Sequence, residues 1–307
     1  CILVVISVVM LWKGADWLVD SAAEIAHSLK VSDLIIGLTV VAFGTSAPEF
    51  AVTISAAFTN QTDISIGNVI GSNIFNLGFI LGGTAIIRPI AVSQKLFNRD
   101  GLFLLMSTAL IFILFFGING WDIEDSFTQI EGLLLFFMLI GYIVFLFIKK
   151  DPPEEVHPST ATKSSYLFFL IGLVLIVSGG HLMVEHASNV ARFIGISDWV
   201  IAVTIVAAGT SAPEFATSIS AALKGRHGIA IGNLIGSDLF NLLGVLGLAG
   251  IINPSSISQD IYSSTFILVL MVGLTLLMMR TFWRISRIEG FILVSINLVR
   301  WYYDLSA

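Results

Sequence analysis

The sequence predicts an all-α membrane protein of about ten transmembrane helices, built as two inverted-topology five-helix repeats with broken helices in spans two and seven. Three observations predict it. The chain is too apolar and too poorly charged for a water-soluble domain. Its second half repeats its first. Each copy holds an odd number of spans, so the second copy enters the membrane from the opposite side.

Composition comes first. The 307 residues are 56% hydrophobic and 12% charged, with a mean hydropathy of +0.94, whereas a soluble domain carries about 25% charged residues. Apolar runs of about 20 residues are long enough to cross a bilayer as helices. Walking the chain gives spans at 1–27, 35–58, 66–87, 101–118, 130–148, 165–190, 199–223, 231–252, 262–280 and 286–303. The longest polar stretch, KKDPPEEVHPSTATK, divides a first repeat (1–148) from a second (165–307) through a linker at 149–164. The single cysteine, Cys1, excludes an intrachain disulfide, and a chain opening on Cys rather than Met predicts that a segment precedes it.

Charge tests the count. With the N-terminus outside, twelve of the Lys and Arg residues fall on inner loops and flanks: Lys30, Arg88, Lys95, Arg99, Lys149, Lys150, Lys163, Lys224, Arg226, Arg280, Arg284 and Arg287. Only Arg192 and Arg300 fall outside, and Lys13 lies within the first span. That is the positive-inside bias of a correctly counted chain.

The duplication is ungapped. GLTVVAFGTSAPEFAVTISAA (37–57) matches AVTIVAAGTSAPEFATSISAA (202–222), and ISIGNVIGSNIFNLG (64–78) matches IAIGNLIGSDLFNLL (229–243). The offset is 165 residues throughout, as between Glu49 and Glu214, and reaches from Gly14/Gly179 to Pro89/Pro254. Two similar halves of opposite orientation are related by a pseudo-two-fold axis in the membrane plane, an arrangement suited to alternating access.

Both GTSAPE segments fall at the middle of a span. Pro48 removes a backbone donor and disfavours helix at Ala47, so each such span should break, and broken backbone at membrane depth is tolerated where it is packed in protein or lines a polar cavity. Glu49 and Glu214 then stand at mid-membrane, where an acid costs at least about 2.5 kcal/mol. Two such acids at equivalent places call for a compensating cation. Thr45 and Ser46, four and three residues before Glu49, share its face at helical spacing, and Ser72 and Asn76 share a face in span three. The second copy supplies Thr210, Ser211, Ser237 and Asn241. All these donors are oxygens and neither motif holds His or Cys, which excludes a typical zinc or copper site and fits calcium or sodium. One Ca²⁺ neutralises the two carboxylates, and so do two Na⁺ or two H⁺, which is the balance an exchanger needs.

Asp238 stands where the first copy has Asn73, about 100° around the helix from Ser237. It reads as an extra ligand, a partner for helix-end amides, or part of a water-filled path. Asn68 and Asn233 read as hydrogen bonds between spans. Lys13, Asp16, Asp20, Glu24, His181, Glu185 and His186 read as solvated or snorkelling charge on spans one and six, or as the polar face of a first span that slides over the core.

Paired GTSAPE segments, each followed by GNxIGSxxFN, resemble those of the cation/calcium exchanger superfamily, and the chain is similar to its prokaryotic sodium/calcium exchangers. The resemblance implies a core of spans two, three, seven and eight, with spans one and six as long tilted gating helices. It implies ion ligands at Thr45, Ser46, Glu49, Ser72 and Asn76 and at Thr210, Ser211, Glu214, Ser237 and Asn241; Asp238 is a further candidate from the residue reading alone. Some members carry an acid at the position of Asn76 or Asn241; here both are amides and Asp238 lies three residues earlier. It further implies transported Ca²⁺ and Na⁺, no cofactor, and inorganic cations and the lipid bilayer as partners, with no nucleic acid. The expected location is a prokaryotic inner membrane. A Ca²⁺/H⁺ antiporter on the same fold is the alternative, and an ion channel is a more remote one. An intramembrane serine hydrolase is disfavoured, because neither motif offers a His and GTSAP is not GxSxG.

Overall fold

The computed structural model describes residues 2–116, 126–149, 161–195 and 207–306. They are mostly helical. In chain order the elements are α1 (Ile2–Leu29), α2 (Asp33–Thr45), α3 (Ala47–Phe58), α4 (Thr62–Ile87), β1 (Ile90–Ala91), α5 (Leu96–Phe116), β2 (Ser126–Phe127), α6 (Gln129–Lys149), α7 (Lys163–Phe193), α8 (Ala207–Thr210), α9 (Ala212–Leu223), α10 (His227–Ile252), β3 (Ser255–Ser256), α11 (Gln259–Arg280), β4 (Arg284–Ile285) and α12 (Arg287–Ser306). Among the described residues seven helices are long and apolar enough to cross a membrane: α1, α4, α5, α6, α7, α10 and α11. The bent pair α2–α3 makes an eighth span if counted as one. The expected linker at 149–164 and the start of the seventh span, 199–206, fall largely outside the described residues, and α12, of 20 residues, is not among the seven.

The outside of the molecule is apolar, as hydrocarbon solvent demands, and the interior buries polar side chains among apolar ones. Large side chains such as Trp12, Phe137, Leu170, Val174 and Leu277 are exposed, while Ser, Thr, Asn, Asp and Glu side chains of α2, α3, α4, α9 and α10 are buried. Apolar packing forms two clusters. One joins α4, α5, α6, α10 and α11 through Leu77, Ile80, Leu104, Ile111, Leu135, Leu139, Leu239, Leu242 and Leu268. The other joins α1 and α7 to α2, α9 and the start of α10 through Leu18, Val19, Ala22, Ile35, Ile176, Ala221 and Ile229.

Helix contacts recur in reciprocal pairs. Gly14 of α1 faces Gly172 of α7, where a Cβ on either would lie 2.8 Å from the other's carbonyl oxygen. Gly179, the repeat counterpart of Gly14, faces Ser7, the counterpart of Gly172. Gly132 of α6 meets Gly247 of α10, and Gly290 of α12 meets Gly82 of α4 in the same way. Small residues at each crossing let backbones approach closely enough for packing alone to hold helices together in lipid.

These last pairs extend the duplication beyond Pro89/Pro254, where the sequence match ends. The Thr128–Glu131 and Ser286–Glu289 capping boxes open α6 and α12 identically: in each, the Glu carboxylate accepts from the backbone amide and the hydroxyl of the Thr or Ser, at 2.7–2.8 Å. The segments TQIEG and SRIEG are related by an offset of 158, as between Gly132 and Gly290, not 165. A shorter connection in the second copy hides the fifth pair from an ungapped comparison.

Loops segregate to two ends. The short antiparallel pair β1–β4 matches Ile90 with Ile285, and β2–β3 matches Phe127 with Ser255. At the β1–β4 end, Arg226 pairs with Asp33 at 3.2 Å and Arg88 donates to the Leu223 carbonyl at 2.7 Å. Lys224 reaches along α1 to Asp20 at 2.8 Å and Asp16 at 3.1 Å. The Arg226 and Arg88 contacts join segments that strict alternation of spans places on one side, the side richest in Lys and Arg.

The glycine crossings generate a prediction. Gly172→Leu and Gly247→Leu should each lower the melting temperature of the detergent-purified protein, by overpacking worth about 1–3 kcal/mol. Gly273→Ala, with no neighbouring atom within 4 Å among the described residues, should be neutral or slightly stabilising, because Ala is the better helix former by about 1 kcal/mol.

Candidate functional site

The GTSAPE segments interrupt their helices where proline chemistry says they should. Pro48 has no amide for the Gly44 carbonyl, Ser46 leaves helical geometry (φ −77°, ψ 6°), and α2 and α3 meet at 51°. In the second copy Ser211 takes the same conformation (φ −89°, ψ 10°) between α8 and α9. Pro48 and Pro213 sit in the first turns of α3 and α9, where a missing N–H costs nothing. Glu49 and Glu214 follow at once, each in the first helical turn, where the helix dipole favours an anion.

The bend redirects the hydroxyls. Ser46 and Thr45 do not serve their own glutamate, as unbroken helical spacing implies; both turn to the other copy. Ser46 Oγ donates to Glu214 Oε1 at 3.3 Å, and Ser211 Oγ donates to Glu49 Oε1 at 2.9 Å. These are one interaction made twice, since Ser46/Ser211 and Glu49/Glu214 are repeat counterparts. Thr45 Oγ1 lies 3.0 Å from Asn233 Oδ1 and 3.3 Å from Ser237 Oγ. The two motifs, 165 residues apart in sequence, therefore interlock at one place.

Asn68 and Asn233 do bind span to span. Asn68 Nδ2 donates to the Glu49 carbonyl at 3.3 Å and to Thr53 Oγ1 at 2.9 Å. Asn233 Nδ2 donates to the Glu214 carbonyl at 3.4 Å and to Ser218 Oγ at 3.1 Å. Each asparagine thus fixes the backbone of one glutamate against the helix that follows.

Asn76 and Asn241 lie where α4 and α10 adopt π-helical turns, at Asn76–Leu81 and Phe240–Val245. Such turns insert an extra residue and recur at functional sites. A residue not singled out from the sequence, Asn297 of α12, donates to the Ile74 carbonyl beside the first of these turns at 2.8 Å and fills the space next to Gly78. Asn73, also not singled out, donates to the Asp238 carbonyl at 3.1 Å and accepts from Asn241 Nδ2 at 3.2 Å. Asn76 Nδ2 donates to Asp238 Oδ1 at 3.0 Å.

Of the residues expected to carry chemistry, Thr45, Ser46, Glu49, Ser72, Asn76, Ser211, Glu214, Ser237, Asp238 and Asn241 are all buried, Glu49 and Glu214 to 1% and 0% exposure. Thr210 is only half-buried; with Ser72, Gly71, Asn297, Arg300 and Trp301 it lines a cavity of about 130 Å³. What remains after the hydrogen bonds is a surplus of acceptors. Glu49 Oε2, Glu214 Oε2, Asn76 Oδ1, Asn241 Oδ1 and Asp238 Oδ2 are buried and accept no hydrogen bond, and the Thr217 hydroxyl, one turn after Glu214, is likewise unpartnered. Among the described residues no three His, Cys, Asp or Glu side chains form a metal-binding group. A cation here would therefore be held by carboxylate, amide and hydroxyl oxygens together, a hard and mixed donor set.

Known proteins share this architecture. The family described as sodium/calcium exchanger protein matches residues 1–148 and 164–303. The putative antiporter CaxA of Alkalimonas amylolytica is 36% identical over 311 residues, covering 95% of this chain and 94% of the relative. The sodium/calcium exchanger MaX1 of Methanosarcina acetivorans is 32% identical over 332 residues, 95% of each chain. The inner membrane protein YrbG of Escherichia coli is 30% identical over 286 residues, 89% of this chain and 86% of that one. The solved structure of the sodium-calcium exchanger NCX_Mj, soaked with zero Na⁺ and Ca²⁺, superimposes with a TM-score of 0.84 at 31% identity, covering 97% of this chain and 96% of that chain. Fold, motif and full-length similarity agree: this multi-pass membrane protein belongs to the sodium/calcium exchanger family.

Proposed function

We propose that the chain is a Na⁺/Ca²⁺ antiporter that works by alternating access around one buried site. Its ligands are Glu49 and Glu214 with oxygens of Thr45, Ser46, Ser72, Asn76, Thr210, Ser211, Ser237 and Asn241. The observation that carries this reading is the set of buried oxygens without donors. An unsatisfied buried polar group costs about 1–3 kcal/mol, and more when charged. Carboxylate and amide oxygens left bare together in a low-dielectric interior are stable when a positive charge sits among them. The Glu49 and Glu214 carboxylates balance one Ca²⁺ or two Na⁺, so exchange keeps that pair neutral while an empty, doubly charged pair resists crossing the membrane.

The scaffold in this reading has ten spans in two inverted halves, 1–148 and 165–307, with the N-terminus outside. The reciprocal Ser–Glu, Asn–carbonyl and Gly–Gly contacts support a two-fold relation, and the odd number of spans per half supplies the inversion. Two halves of similar structure can exchange conformations, which opens the site to each side in turn. MaX1 and NCX_Mj are both named as sodium-calcium exchangers, which favours sodium over protons as the counter-ion.

The test is calcium flux in proteoliposomes with sodium and pH gradients imposed separately. An outward sodium gradient should drive uptake; a pH gradient in sodium-free medium should not. Uptake driven by the pH gradient alone would instead assign a Ca²⁺/H⁺ antiporter. Glu49→Gln and Glu214→Gln should each reduce sodium-driven uptake by about 100-fold or more, because removing one partner of a buried charge pair costs about 3–5 kcal/mol. Uptake that survives both substitutions would overturn the site.

A further inference from the structure

Asp238 breaks the symmetry of the buried site. Its counterpart is Asn73, and the hydrogen bonds of the two follow one rule. Asn76 Nδ2 donates to Asp238 Oδ1 at 3.0 Å, and Asn241 Nδ2 donates to Asn73 Oδ1 at 3.2 Å. Asn76 and Asn241 are repeat counterparts, as are Asn73 and Asp238, so this is again one contact made twice across the halves. Both donors are amides whose oxygen is left bare: Asn76 Oδ1 and Asn241 Oδ1 are buried without a partner.

An amide can turn over by 180° and exchange its oxygen for its nitrogen at little steric cost. Only its partner decides which end faces the site. Asp238 Oδ1 and Asn73 Oδ1 are acceptors, so each engages the nitrogen end of the amide opposite. The oxygen end is then left to face away from that bond, and Asn76 and Asn241 present an acceptor and not a donor. For a site that holds cations the difference is decisive, since an N–H end would repel the ion.

We infer that Asp238 and Asn73 are a matched pair of positioning residues that orient the amides of Asn76 and Asn241, so that both present oxygen to the transported cation. This rests on the exchanger reading and refines it: Asp238 acts through Asn76 and does not serve chiefly as a third anionic ligand. The two residues differ in their second atom. Asn73 Nδ2 donates to the Asp238 carbonyl at 3.1 Å, while Asp238 Oδ2 has no partner. An asparagine at 238 could therefore reproduce the whole pattern of Asn73, accepting from Asn76 through oxygen and offering an amide where the bare carboxylate oxygen now lies. An aspartate was not needed for the orienting bond; an acceptor was.

The experiment compares Asp238→Asn, Asp238→Ala and Asn73→Ala in the full chain, by sodium-driven calcium flux in proteoliposomes and by calcium binding to the purified protein. Asp238→Asn should keep the calcium KM within about threefold of the parent and should melt no lower. Asp238→Ala and Asn73→Ala should raise the calcium KM and Kd by about 10- to 100-fold, the range seen when an outer partner of a metal ligand is lost, with a smaller change in kcat. Where Asp238→Ala fails to fold, Asn73→Ala tests the same rule through Asn241. A rise in calcium KM for Asp238→Asn as large as that for Glu214→Gln would overturn the inference and make Asp238 a charged ligand. Unchanged calcium binding in both alanine variants would also overturn it. Failure of the exchanger reading is distinguishable, because the parent protein would then show no sodium-driven calcium uptake at all.

Discussion

The structure depends on an imbalance: the buried centre holds more hydrogen-bond acceptors than donors. Each glutamate receives one serine hydroxyl from the opposite copy and keeps one oxygen bare. Each key asparagine spends its amide nitrogen on a neighbour and keeps its oxygen bare. In water such oxygens would be solvated; inside a membrane protein they are stabilised by a cation or a proton among them. The scaffold holds these acceptors in place against their own repulsion, and an ion that fits between them gains what water would otherwise supply.

Holding them there is the work of packing. The crossings at Gly14–Gly172 and Gly132–Gly247, and the matching contacts at Gly179–Ser7 and Gly290–Gly82, bring backbones within van der Waals contact. Hydrocarbon offers no hydrophobic drive between helices, so close approach and interhelical hydrogen bonds provide the cohesion. One bond shows how little the identity of the donor matters. Between α3 and α4, Ser65 Oγ donates to the Thr53 carbonyl; between α9 and α10, Ser218 Oγ donates to the Ala230 carbonyl. Ser65 and Ala230 are counterparts, as are Thr53 and Ser218, so the hydroxyl has moved to the other helix while the link between helices persists.

The helix break ties packing to chemistry. Had α2 run straight into α3, Ser46 would stand over Glu49 and the two copies would each carry a self-contained half-site. With the bend at Ser46, each serine reaches the other copy's glutamate, and neither half-site is complete without its partner. In the proposed function, a change in the relation of the halves would remake the contacts of the site itself, which is the coupling alternating access requires.

Much of this was legible in the chain. Apolar run lengths, the distribution of Lys and Arg, the repeat at an offset of 165 and the paired prolines determined a membrane fold of duplicated halves with acids at its centre, because each follows from local chemistry or from counting. Asn68 and Asn233 were readable as links between spans for the same reason. The sequence did not disclose that Ser46 and Ser211 cross over, since helical spacing is a local rule and a 51° bend suspends it. It hid the match between the fifth spans of the two copies, which is displaced to an offset of 158, as between Gly132 and Gly290. Nor did it mark Asn73 or Asn297, whose partners, Asn241 and the Ile74 carbonyl, lie on other helices. Residue type and spacing determined which oxygens the protein carries into its buried centre; only the tertiary structure decided which keep a partner and which are left bare, because hydrogen bonds between distant segments depend on how the two halves meet.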